Sequence, residues 1–303
     1  MDHSITHVGI IGAGQMGGGI AQVAAVAGFK TVVYDTFPKA VEKCKADHAK
    51  RLARDAEKGK ISKELADAAQ SKLSYVSGPL DQALPSFAEC QVVIEAVVED
   101  LKVKQDIFFK LAGLFAGIPG EQILATNTSS ISITEIAAAT RNIKGPAVSA
   151  PQQIVGMHFF NPVPVMTLVE VVRGLETSQR TVERTTELAK SMGKVPVPAH
   201  DRPGFVSNRV LMPMINEAFY AWMEGVAEPA HIDEIMKRGC NFPMGPLNLA
   251  DFIGLDTCVH IMNVLADGLN SDRYRPCPLL KQLVVAGRLG VKSGRGVFEY
   301  PAK

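Results

Sequence analysis

In the first part of the chain the apolar positions come in short continuous runs. His7–Ile11 is such a run, and it stops at Gly12. A run of this kind predicts a strand covered on both faces. Gly12-Ala13-Gly14-Gln15-Met16-Gly17 follows, then a small-residue helical stretch over 16–27 that Gly28 is placed to end. Lys30–Asp35 is the next strand, which completes a β-α-β unit of about 30 residues, the building block of a parallel sheet. Further buried strands are expected over 91–96, 122–126, 155–160 and 168–172, and helices over 38–60 and 101–115. After Pro203 the pattern changes to helical periods: 204–227, with a bend at Pro213, then 230–239, 247–268 and 278–287. The chain therefore divides near residue 200 into an α/β half, 1–200, and an all-helical half, 201–303.

Composition narrows the function. With 32 Lys and Arg against 31 Asp and Glu, the net charge of +1 argues against a dedicated nucleic-acid binder. The 38–60 helix departs from that balance, with eight basic residues against four acids. Five scattered cysteines without a C-x-x-C pair give neither a disulfide framework nor a zinc ribbon, and favour a reducing compartment. No run of 18 apolar residues is present, so no spanning helix and no membrane partner are expected. The chain enters its first strand almost at once, which leaves no room for a signal peptide, and it does not end in S-K-L. The expected compartment is the cytoplasm.

The first chemical signal is Gly12-x-Gly14-x-x-Gly17 between a strand and a helix, with Asp35 ending the second strand 23 residues after Gly12. Gly12 permits the tight turn, Gly14 lets a pyrophosphate approach the backbone, and Gly17 lets helix and strand pack closely. The helix start at Gln15 and Met16 offers N–H groups to phosphates. Asp35 can accept hydrogen bonds from ribose hydroxyls and would repel a 2′-phosphate. Thr36 stands where an NADP enzyme often has arginine. The cofactor expected is NAD, on a Rossmann-type dinucleotide-binding domain. FAD is the rival, without a recognisable flavin-binding segment; a glycine-rich turn with no ligand is the plain alternative.

The second signal is a pair of strands flanking a proline-containing connection. In an antiparallel hairpin centred on Pro164, residues whose numbers sum to 328 face each other, and His158 and Glu170 satisfy that sum. Opposed residues share a sheet face with Cβ atoms roughly 5 Å apart. The carboxylate can then fix one imidazole nitrogen and leave the other as a base. A structural hydrogen bond is the alternative, but hydride transfer from an alcohol also needs a proton acceptor. The other histidines are read as surface or packing residues.

Taken together, Gly12-Ala-Gly-Gln-Met-Gly17, Asn127-Thr-Ser-Ser130, His158-Phe-Phe-Asn-Pro162, Pro203-Gly-Phe-Val-x-Asn-Arg209 and Pro243-Met-Gly-Pro246 resemble the L-3-hydroxyacyl-CoA dehydrogenases along nearly the whole chain. The resemblance implies NAD-dependent, reversible oxidation of a (3S)-3-hydroxyacyl-CoA of short chain. His158 would be the base and Glu170 its orienter. Ser129 would bond the substrate oxygen, and Asn208 would hold the histidine region and the substrate carbonyl. Cofactor contacts would come from Asn127, Ser129, Asn161, Glu99, Lys104 and Lys292, and CoA contacts from Lys58 and from Arg51, which replaces a family serine. The stretch 144–151 is about eight residues longer than is usual in the family, and is read as a surface loop able to modulate access. A homodimer through the helical half is implied as well. The alternatives are a related 3-hydroxyacid or sugar-acid dehydrogenase, and a dinucleotide-binding protein without catalysis.

Overall fold

The computed structural model describes residues 5–118, 120–145 and 148–301. The chain forms two compact units, one ending at Asp201 and the other starting at Arg202.

The first unit holds β1 (His7–Ile11), α1 (Gln15–Val26), β2 (Lys30–Asp35), α2 (Pro38–Glu57), α3 (Lys63–Lys72), β3 (Leu73–Ser77), a short α4 (Leu80–Ala83), β4 (Val92–Glu95), α5 (Leu101–Ala116), β5 (Ile123–Thr126) and α6 (Ile133–Ala138). A two-residue ladder, β6 (Lys144–Gly145) with β7 (Val148–Ser149), precedes β8 (Ile154–Phe159), β9 (Leu168–Arg173), α7 (Gln179–Ser191) and β10 (Val195–His200). Residues 146 and 147 of the long loop lie outside the described residues.

Eight strands form one sheet in the order β10-β9-β8-β5-β4-β1-β2-β3. Its neighbours are parallel except β8 and β9. The parallel centre explains the continuous apolar runs: β4 and β5 are buried at every position, and β1 at all but its first. Burying each Val or Ile side chain there contributes roughly 1.5–3 kcal/mol.

α2 is tied to this core through His48, which has no exposed surface. The Gly18 carbonyl on α1 accepts from His48 Nε2 at 2.7 Å, so Nδ1 accepts from the Tyr75 hydroxyl at 2.8 Å. Burial pushes the His48 pKa down, which keeps the ring neutral for both bonds. All five cysteines are free.

The second unit contains α8 (Ser207–Met223), α9 (Pro229–Gly239), α10 (Pro246–Ile253), α11 (Leu255–Gly268) and α12 (Pro278–Val285), around a core that includes Ile215, Phe219, Leu247, Met262 and Leu280. Two expected helices have different limits. The stretch 247–268 is broken into α10 and α11, bent by 97°, because Gly254 adopts φ +105°. The helix expected from 204 begins at Ser207, since Gly204 and Phe205 are both at positive φ; it continues through Pro213. Among the described residues no single helix is long and apolar enough to cross a membrane.

β3, β10, α3, α4, α6 and α7 are not foreseen from the sequence pattern, nor is the short β6–β7 ladder within the stretch read as a loop. β10 carries Pro196 and Pro198. Val195 N donates to Thr167 O and Asp201 N to Arg173 O, so odd-numbered positions face β9 and both prolines face away from it. As the outermost strand of the sheet, β10 tolerates them.

Candidate active site

In the first unit, the carboxyl ends of β1, β4, β5 and β8 gather most of the candidate residues. The glycine-rich turn leaves β1 and enters α1. A Cβ on Gly17 would lie 1.8 Å from the Gly12 carbonyl oxygen, so a side chain there would part helix from strand. Gly14 is the opposite case, with nothing within 4 Å of the Cβ it lacks. It is also the N-cap of α1 and makes no side-chain cap bond. Open space in front of uncapped N–H groups at a helix start fits a pyrophosphate. Asp35 ends β2; its Oδ2 accepts from Ala13 N at 2.9 Å and its Oδ1 from Phe37 N at 3.0 Å. The acid thus holds the turn itself, and it stays half-buried, within reach of ribose hydroxyls bound at that turn.

β8 and β9 are antiparallel with His158 opposite Glu170. Nδ1 lies 2.7 Å from Glu170 Oε2, and both residues are buried, 6% and 3% exposed. A carboxylate only accepts, so Nδ1 carries the proton and Nε2 is left to accept from the Ser129 hydroxyl at 3.0 Å. The ring also packs on Phe160, centroid to centroid 4.7 Å.

The loop after β5 carries Asn127 and Ser129. Asn127 Oδ1 accepts from Phe159 N at 2.9 Å, which ties the loop beside His158. Glu99 Oε1 accepts from Thr128 Oγ1 at 2.6 Å, Ser130 Oγ at 2.9 Å, Ser129 N at 3.0 Å and Ser130 N at 3.1 Å. Burial works to raise the Glu99 pKa, but Lys104 and these donors outweigh it and hold the carboxyl below its ordinary value. Lys104 itself has no exposed surface and pairs with Glu95 at 2.7 Å and Glu99 at 3.5 Å. The direct cofactor contact implied for Lys104 does not match this placement, because no surface is left to touch a ligand. Ion pairing with two buried acids has drawn its ammonium beneath the loop.

Asn161 Oδ1 accepts from Gln15 Nε2 at 2.9 Å, joining the glycine-rich turn to the connection after β8. Beside this bond lies a cleft of about 720 Å³. Gln15, Asn161 and the 162–165 turn line it, with Arg51, Arg54, Lys60 and Lys194. Lys58, the C-cap residue of α2, is exposed and is not part of this lining. Lys194 donates to the Val163 and Met166 carbonyls, and burial lowers its pKa. In the second unit, Asn208 is buried on α8, and Lys292 pairs with Asp256 at 2.6 Å.

Residues given no individual role by the sequence are Glu95, Thr128, Ser130 and Lys194, while Arg54 and Lys60 enter it only through the basic charge of the 38–60 helix. The signal for Glu95 was available: an acid inside the apolar run 91–96.

The chain is similar to proteins of known kind over nearly its full length. Residues 7–202 match the family described as 3-hydroxyacyl-CoA dehydrogenase, NAD binding domain, and residues 204–300 match 3-hydroxyacyl-CoA dehydrogenase, C-terminal domain. It is 52% identical over 299 residues to a probable 3-hydroxybutyryl-CoA dehydrogenase of Bacillus subtilis, covering 99% of each chain. It is 45% identical to a 3-hydroxybutyryl-CoA dehydrogenase of Bradyrhizobium diazoefficiens, covering 98% of this chain and 96% of the relative. Among solved structures, (S)-3-hydroxybutyryl-CoA dehydrogenase from Ralstonia eutropha superposes with a TM-score of 0.90 at 44% identity, covering 99% of this chain and 100% of that one.

Proposed function

Since the chain belongs to the 3-hydroxyacyl-CoA dehydrogenase family, whose members are NAD-dependent oxidoreductases, we propose that it oxidises a short-chain (3S)-3-hydroxyacyl-CoA, such as 3-hydroxybutyryl-CoA, reversibly to the 3-ketoacyl-CoA. The observation that carries this reading is the line Ser129 Oγ, His158 Nε2, His158 Nδ1, Glu170 Oε2, with bonds of 3.0 and 2.7 Å.

When bound, NAD supplies a hydride acceptor at C4 of its nicotinamide. The glycine-rich turn receives the pyrophosphate, and Asp35 receives the adenosine ribose. His158 Nε2 takes the proton of the 3-hydroxyl as the C3 hydride departs, which leaves a ketone and an imidazolium. Glu170 holds Nδ1–H and stabilises that imidazolium. Ser129 already bonds Nε2, so the substrate oxygen can bond both groups by entering beside it. Asn208 is assigned to the substrate carbonyl, Asn127, Asn161 and Lys292 to the cofactor, and Glu99 to the loop that presents Ser129. Arg51 is assigned to the anionic groups of CoA, with Arg54 and Lys60 as neighbours on the same cleft and Lys58 at its margin.

The first unit is taken as the NAD-binding domain and the second as the substrate and dimerisation domain. Val206, Val210, Met223 and Val226 are exposed on or beside α8 and support a homodimer through that unit. Free thiols fit the proposed cytoplasmic location.

The test is direct. Acetoacetyl-CoA with NADH should consume the NADH absorbance band, and sugar acids with NAD should not react. Turnover of sugar acids without turnover of the acyl-CoA would overturn the proposal.

A second expectation concerns the cofactor. Asp35→Ala removes the acceptor for ribose hydroxyls and the charge that repels a 2′-phosphate. It should raise the Kd for NADH roughly ten-fold, the effect of about one hydrogen bond to a charged group, and narrow the preference over NADPH. Fluorescence titration with both cofactors reads this, and an unchanged ratio would count against Asp35 as the selector.

A further inference from the structure

The geometry points to Glu95 and Lys104 as a buried positioning pair that sets the 127–130 loop, and through it the place of Ser129 against His158. This rests on the dehydrogenase reading for its kinetic part, and names two side chains that have no exposed surface.

Glu95 ends β4 and is fully buried. Its Oε1 accepts from Lys104 Nζ and from Val97 N, each at 2.7 Å, and its Oε2 accepts from Thr126 Oγ1 at 2.7 Å. The Glu95 backbone carbonyl accepts from Asn127 N at 2.7 Å. One residue thus fixes the end of β5 and the first loop residue together. Lys104 carries the connection onward, with Nζ 3.5 Å from Glu99 Oε2. Glu99 spends its other oxygen on the four donors of the loop, Ser129 N among them. Ser129 then meets His158 at 3.0 Å.

Two carboxylates and one ammonium out of water are expensive to hold, and well-packed apolar side chains often stabilise a fold as well or better. Stability alone therefore does not account for three charges converging under the loop that touches the base. A fixed place for Ser129 does. Displacing a group by about 1 Å near the chemistry can cost on the order of 100-fold in rate.

Lys104→Met cuts the link between Glu95 and Glu99. Glu95→Gln/Lys104→Met also removes the orphaned charge at 95, so it relieves the folding penalty without restoring the link. We expect Lys104→Met to lower kcat roughly 10- to 100-fold with KM for NADH within about two-fold. The double variant should recover most of the lost Tm and keep the low kcat; if Lys104→Met does not fold, the double variant carries the measurement. A rise in KM for NADH with kcat intact would overturn the proposal in favour of a cofactor contact. Recovery of kcat together with Tm would overturn it in favour of a purely structural role.

The imidazole nitrogen resonances of His158, assigned by their loss in His158→Gln, give a readout independent of turnover. The Nε2 signal should move in both Lys104 variants as the Ser129 bond loosens. An unmoved signal sinks the positioning role even if acyl-CoA turnover is normal. Wild-type protein that fails to turn over acetoacetyl-CoA, yet shows the Nε2 shift in the variants, would sink the substrate reading and leave the pair standing.

Discussion

His158→Gln is expected to lower kcat by about 10²–10⁴-fold, the usual contribution of a positioned base, and to leave NADH binding nearly unchanged. The two effects separate because the residues that receive the pyrophosphate and the ribose lie on the turn after β1 and at the end of β2, while His158 lies on β8. Glutamine keeps a donor for Glu170 but cannot take a proton at neutral pH. The 3-hydroxyl then has no acceptor as hydride leaves, and in the reverse direction the 3-keto oxygen has no acid. Steady-state turnover of acetoacetyl-CoA and NADH titration by fluorescence together read the prediction. Retained turnover would falsify the assignment of the base. Weak NADH binding would show that the residue shapes the cofactor site.

Glu170→Gln should be nearly as severe in kcat, with KM for acyl-CoA changed only a few-fold. The carboxylate opposes His158 in the ladder and accepts from Nδ1 at 2.7 Å. An amide in its place can present its NH₂ to the ring. The favoured tautomer then places the proton on Nε2, where it cannot accept from the substrate. The charge that stabilises the imidazolium is also lost. Loss of an orienting acid beside a histidine base costs on the order of 10⁴ in a serine protease, and a reduction of about 10²–10⁴ is expected here. His158→Gln/Glu170→Gln should be little worse than either single variant, since the two residues act as one unit. Additive losses would mean that Glu170 works apart from the histidine.

Much of this site is legible in the residues. The βαβ unit follows from short apolar runs punctuated by glycines, of which Gly12 and Gly17 leave no room for a side chain. The His158–Glu170 pair follows from an antiparallel hairpin centred on Pro164, and the register found places the two opposite each other; the connection over 160–167 is long enough to allow other registers, so the pattern alone does not fix this one. What escapes the pattern has physical causes. β3 reads Leu-Ser-Tyr-Val-Ser and is largely half-buried or exposed, so its apolar signal is thin. β10 is masked by two prolines, and Gly254 breaks a helical period that runs on across it. The burial of Lys104 is the deepest miss. A lysine in the first turns of a helix is nearly always solvated, and only the fold shows that acids at the ends of β4 and beyond it converge on this one.

The outward-facing prolines of β10 have a consequence beyond the site. An open sheet edge is a template on which a second molecule can add a strand, provided that it offers donors as well as acceptors. At positions 196 and 198 the donors on the outer side are missing. The missing donors themselves therefore oppose strand-by-strand accretion between molecules along that border.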